Sequence, residues 1–231
     1  MLRRVVTAAA VVFGIGLVSG CAVTPVKMGS AAIVGDQRIT VATLGSEVTN
    51  LSQAASQYRG VVTLTQVQQT QATLTWLIRY QINDELARQA GITVTTAQAQ
   101  AALAAAYASA KAAAEQQGVT NVTPTLILVA SGIPPDTAPQ LAQYEAIANQ
   151  YLKMANGGQV PVTTSAQTAA NAKLATAQCQ AAKALDILVN PQFGRMDYSQ
   201  APYQVVSAPS TVAGSPGPAP TASPSGTAPA C

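Results

Sequence analysis

Three times in this chain a threonine is followed three residues later by a glutamine, at the head of a run rich in alanine and leucine: Thr65 and Gln68, Thr95 and Gln98, Thr164 and Gln167. At that spacing the threonine hydroxyl satisfies a free amide of the first helical turn while the glutamine reaches back to the threonine amide, so each pair marks a helix start. The runs end at glycine or at Asn190-Pro191, both of which stop helices. A chain punctuated in this way reads as all-α.

The apolar spacing within each run agrees. After Thr40, residues Leu44, Val48, Leu51, Ala55 and Tyr58 step by four and three and form one stripe. A helix from about Gln66 to Ala90 carries Leu74, Leu77, Ile78, Ile82 and Leu86, with Gly91 placed for a left-handed cap. The Thr95 run has a thinner stripe of Leu103, Tyr107, Ala110 and Ala114 before Gly118. Thr123-Pro124 opens a short apolar helix to Ala130, stopped by Gly132 and Pro134-Pro135. A fifth helix starts at Asp136 or Thr137 and presents Leu141, Tyr144, Ala148, Tyr151 and Leu152. The sixth runs from the Thr164 box to about Leu188 with Leu174, Ala177, Ala181 and Leu185. The expectation is a single domain of about six helices over residues 31–206. Short extended segments flank it, the first at Ala31 to Thr40 and the second at Asn190 to Asp197.

Both ends of the chain differ from this block. Arg3-Arg4 precedes an apolar run from Val5 to Val18, too short to span a bilayer, and reads as a signal peptide over residues 1–20. Residues 21–30 read as a tether. From Ser207 to Cys231 the composition turns to Pro, Ser, Thr, Ala and Gly, with six of the chain's 14 prolines, and reads as an extended, disordered tail.

Charge and residue choice narrow the function. The 231 residues contain no histidine and only 9% charged side chains, against about 25% in an ordinary soluble domain. Without histidine, Ser-His-Asp and Cys-His catalysis and histidine zinc sites are excluded, and no enzyme activity, cofactor or metal is expected. Removing Arg3 and Arg4 leaves 10 basic against 9 acidic side chains, so no nucleic-acid partner is expected.

Val18-Ser19-Gly20-Cys21 resembles the lipobox of bacterial lipoproteins, which implies a lipid on the Cys21 thiol and cleavage before it. Two acyl chains suffice for stable anchoring, placing the chain on the extracytoplasmic face of a cell membrane. Ala32-Ile33-Val34-Gly35-Asp36-Gln37-Arg38-Ile39-Thr40 and Gly91-Ile92-Thr93-Val94-Thr95 resemble the N-terminal domain of periplasmic chaperones of the SurA and PrsA type. Val189-Asn190-Pro191-Gln192-Phe193-Gly194-Arg195-Met196-Asp197 resembles the closing segment of actinobacterial lipoproteins with such a domain. The resemblance implies a helical cradle whose first and last extended segments meet, and binding of unfolded or exported polypeptides. The family's larger members carry histidine-using prolyl isomerase domains, and this chain has neither the histidine nor the room, so isomerase activity is not implied.

Cys179 lies off the main stripe of its helix and should be partly accessible, and the tail is long enough to bring Cys231 back to it. A Cys179 to Cys231 disulfide is the favoured reading, with free thiols or an intermolecular bridge as alternatives. Tyr58, Tyr107, Tyr144 and Tyr151 are candidates for lining a groove for extended chains, or ordinary packing residues. Phe193 and Trp76 read as structural. Asp84 and Glu85 point about 100 degrees apart on a helix and cannot converge on one bond. The expected function is reversible holding of apolar segments of newly exported chains. The alternative is a cell-envelope lipoprotein that binds one dedicated protein or wall partner.

Overall fold

A computed structural model describes residues 28–199 and 203–208. Strands β1 (Ser30–Val34) and β2 (Gln37–Thr40) open the fold, followed by α1 (Val41–Ser56), α2 (Gln66–Ala90), α3 (Thr96–Gln116) and α4 (Pro124–Ala130). After a 3-10 turn at Pro135–Thr137 come α5 (Ala138–Ala155), α6 (Thr164–Ala184), β3 (Leu188–Val189), β4 (Arg195–Asp197) and β5 (Gln204–Val206). The chain is mainly helical, as its periodicity predicts.

The extended segments meet. Gly35 at φ 57° makes the tight turn that sets Val34 against Gln37 and Ala32 against Ile39. On its other edge β1 pairs antiparallel with β3, Ala32 against Val189 and Ile33 against Leu188, giving the order β2-β1-β3. Asn190 fastens this joint: its amide N–H donates to the Ala31 carbonyl at 2.9 Å and its side-chain amide to the Ser30 carbonyl at 3.0 Å. β4 and β5 form a separate antiparallel hairpin.

α2 is the central element. Its capping box closes as the sequence predicts, with the Thr65 hydroxyl accepting from the Gln68 amide and Gly91 capping the far end at φ 66°. Leu74, Ile78, Ile82 and Leu86 are buried. Around them pack Ala31, Ala32 and Val34 from β1, Leu44 from α1, Ala177, Ala181 and Ala182 from α6, and Tyr203 and Val205 from the C-terminal hairpin. Burying one such Leu or Ile contributes about 1.5–3 kcal/mol.

Several expectations are corrected. The cap of α6 is Thr163, whose hydroxyl accepts from the Ala166 amide, so Thr164 and Gln167 form no capping box. That helix ends at Ala184; Asp186 takes a left-handed φ of 45°, and Leu188 belongs to β3. α1 stops at Ser56, which leaves Tyr58 in the turn beyond it. α5 starts next to Thr137, as expected, although the Thr137 hydroxyl bonds the Pro134 carbonyl and not a first-turn amide. No residue of α3 is fully buried. The folded region begins at Ser30, which is fully buried, and its last strand, β5, was not anticipated. Residues 1–20, read from the sequence as a signal peptide, Cys21, residues 209–231 and with them Cys231 lie outside the described residues.

Candidate binding groove

α2 and α5 bring three aromatic side chains together. Trp76 stands 5.9 Å from Tyr80 and 5.7 Å from Tyr144, and Tyr80 stands 6.3 Å from Tyr144, with both Tyr144 contacts edge-on. The Arg79 guanidinium lies 5.0 Å over the Trp76 ring, and its Nε donates to the Tyr203 carbonyl at 2.9 Å. Burial pulls the Arg79 pKa below its usual value and pushes the Tyr80 and Tyr144 hydroxyls up. Tyr80 shares a hydrogen bond with Thr137, and Trp76 donates to the Ser131 carbonyl. Leu103 and Tyr107 of α3 pack onto this cluster.

Of the four tyrosines singled out in the sequence, Tyr107 and Tyr144 therefore share one cluster, largely as packing. Tyr58 is elsewhere, its hydroxyl 2.9 Å from the Thr123 hydroxyl, where it ties two loops. Tyr151 borders the main core and faces an open groove. Phe193 packs against the core as expected.

That groove, about 460 Å³, runs between α5 and α6. α5 contributes Tyr151, Met154 and Ala155; α6 contributes Ala172, Lys173, Thr176, Ala177 and Gln180. Met154 is 49% exposed, although its side chain is apolar. In the connection between the two helices, Val160 and Val162 are 67% and 88% exposed. Lys173 donates from Nζ to the Ala155 carbonyl at 2.8 Å, so its apolar stem lies along the groove while its charge closes the end of α5. Unbranched methionine and lysine stems over small alanines make an adaptable apolar surface. Sequence reasoning passed over Met154, although it lies three residues beyond Tyr151 and so shares its face.

A second cleft of about 210 Å³ mixes polar and apolar side chains. Arg38, Ile39 and Thr43 form one wall, Leu77, Tyr80, Gln81 and Asp84 of α2 a second, and Gln140, Gln143 and Tyr144 of α5 a third. Partial desolvation pushes the Asp84 carboxyl up. Its neighbour Glu85 is held below the usual range by hydrogen bonding to Arg88. The two carboxylates face different surroundings, as their helical spacing predicts, and share no reaction centre.

Cys179 is half-buried against the main core and is disulfide-bonded; no other cysteine lies among the described residues. Among those residues no three His, Cys, Asp or Glu side chains are grouped to hold a metal ion, and no helix is long and apolar enough to cross a membrane. Comparison with protein-family models, with curated proteins and with solved structures returns no match.

Proposed function

We propose that this chain is a lipid-anchored extracytoplasmic holdase that binds exposed apolar segments of newly exported polypeptides and releases them without covalent chemistry. The observation that carries this reading is the open α5–α6 groove, where the half-exposed Met154 and Tyr151 stand with Ala155, Ala172 and Ala177. A surface of this kind accepts side chains of differing shape, because methionine repacks and aromatic faces bind apolar groups with little sequence preference. The lipobox-like sequence ending at Cys21 supports the location, and anchoring would raise the local concentration of binder where clients emerge. The resemblance to SurA and PrsA type domains supports the client class.

A second reading is favoured by the second cleft. Gln81, Gln140 and Gln143 with Asp84 offer directional hydrogen bonds, which suit one dedicated envelope partner better than many clients.

Light scattering of two unrelated aggregating proteins, reduced insulin and heat-unfolded citrate synthase, separates the two readings. The full chain, purified after export in mild detergent, is expected to suppress both at near-stoichiometric ratios, while an inert helical control does not. Met154→Glu, at an exposed site that leaves the core intact, should weaken suppression several-fold. Failure to suppress either aggregation would overturn the holdase reading and leave the dedicated partner.

A further inference from the structure

We propose that β2 and the second cleft form a binding site for an extended polypeptide segment, whose backbone pairs with Arg38 on the free edge of the strand while one lysine or arginine side chain enters the cleft toward Asp84. The site is separate from the α5–α6 groove. It rests on the second reading above and gives the dedicated partner a chemistry.

In the order β2-β1-β3, β1 has a strand on both sides and β2 on one. The Ala31 carbonyl accepts from the Asn190 amide and the Gly35 amide donates to the Leu185 carbonyl, so Ala31, Ile33 and Gly35 turn their backbone groups toward the β3 side. Ala32 and Val34 therefore turn theirs toward β2, where they face Ile39 and Gln37. Arg38 lies between those two residues, opposite Ile33, so its N–H and carbonyl project away from β1. Among the described residues neither group has a backbone partner, and an edge of this kind accepts a further strand.

The cleft borders this edge. It touches both Arg38 and Ile39, whose side chains point to opposite faces of the strand, as a cleft running along the edge does. Ile39 packs into the core around α2, so the residue opposite it on an added strand points toward α2 as well. There α2 presents Leu77, Tyr80, Gln81 and Asp84 at helical spacing on one face. Leu77 and Tyr80 offer an apolar wall to a long aliphatic stem, and Asp84 offers a carboxylate to its charged end. At about 210 Å³ the cleft is below the about 300–1,000 Å³ of small-molecule sites and suits one side chain. The charge at Asp84 is uncompensated: Gln143 Nε2 reaches its Oδ1 only at 3.5 Å, and no ion pair among the described residues includes it. Burial alone shifts its carboxyl, so the Arg38 charge does not act on it; Arg38 Nη2 instead donates to the Met28 carbonyl at 3.1 Å.

The test uses the full chain purified after export in mild detergent and a fluorescein-labelled peptide, Gly-Ser-Thr-Val-Lys-Val-Thr-Ser-Gly, followed by fluorescence polarisation at low salt. This peptide is expected to bind at least tenfold more tightly than versions with norleucine or glutamate in place of lysine, and Asp84→Asn should remove the preference. Arg38→Pro deletes the outward N–H at an edge position that tolerates proline, and should weaken binding at least fivefold. Arg38→Ala keeps that N–H and should bind within twofold of wild type. In the wild-type chain, saturating peptide should slow hydrogen exchange of the Arg38 amide at least tenfold, a readout that needs no variant to fold. Equal binding of the three peptides, a preference that survives Asp84→Asn, or unchanged exchange at Arg38 overturns the inference. Self-association abolished by Asp84→Asn also overturns it, by assigning the cleft to a second copy of the chain. Aggregation suppressed without a lysine preference sinks this site alone, whereas lysine-peptide binding without suppression keeps the site and sinks the holdase reading.

Discussion

Glu47 sits on α1 with one carboxylate oxygen, Oε2, buried and without a hydrogen-bond partner in the described structure. Burial raises its pKa first, and the negative charge of Asp136 raises it further. A carboxyl raised in the fold favours the neutral form there, so its contribution to stability is present below its unfolded pKa of 4.5 and is lost as pH rises through the folded value. At pH 7 the charge is therefore a cost. Glu47→Gln removes it and keeps the shape, and should stabilise the protein at pH 7 by on the order of 0.5 kcal/mol after allowance for solvent screening. Urea unfolding at pH 7 and pH 4 checks this. The gain should shrink at pH 4, where the wild-type carboxyl is largely neutral, and a variant less stable than wild type at pH 7 would mean that the carboxylate is paired in solution.

At the scale of elements, α2 and α3 contrast most. Both begin with a closed capping box, yet α2 buries nine residues and α3 none. Capping sets where a helix starts, but packing supplies most of its stability. α3 rests on α5 and α4 through Leu103, Tyr107 and alanines, so it should open locally long before the molecule unfolds. Hydrogen exchange is expected to show the amides of α3 exchanging at least tenfold faster than those around Ile78 and Ile82 in α2. Equal protection would show that the α3–α5 contact is as strong as the core.

The same contrast separates what local sequence reveals from what it hides. Thr65, Gln68 and Gly91 act within a few residues of themselves, and α2 lies where their spacing puts it. Thr163 and Thr164 are adjacent candidates for one cap, and nothing local decides between them. Leu188 has helical spacing from Leu185, but it pairs with Ile33, a partner that no local pattern reveals. β5 is likewise fixed from afar, by its pairing with β4 and by the Val205 amide donating to the Thr75 hydroxyl at 2.8 Å. The tyrosines were legible as apolar positions, but their division between a packed cluster and an open groove depends on helix spacing. Ala177 and Ala181 let α6 approach the core while Met154 stays uncovered, which is a tertiary fact.

At the scale of the whole molecule, the two ends of the folded chain close on each other at Asn190. Its side-chain amide holds the Ser30 carbonyl, its backbone amide holds the Ala31 carbonyl, and its Oδ1 accepts from the Gln192 amide. Ser30 and Ala31 are fully buried, so a bond lost there is poorly replaced. Asn190→Ala keeps the backbone bond and removes both side-chain bonds, leaving the Ser30 carbonyl without its side-chain donor. The expected cost is about 1–3 kcal/mol. Because β1 and β3 border the same core as α2 and α6, the loss should reach every helix packed on that core. Urea unfolding followed by Trp76 fluorescence and by far-ultraviolet circular dichroism should give coincident transitions, both moved to lower urea. If Asn190→Ala separates the two probes, or leaves the midpoint where it was, the meeting of the chain ends is a peripheral contact and the helices fold without it.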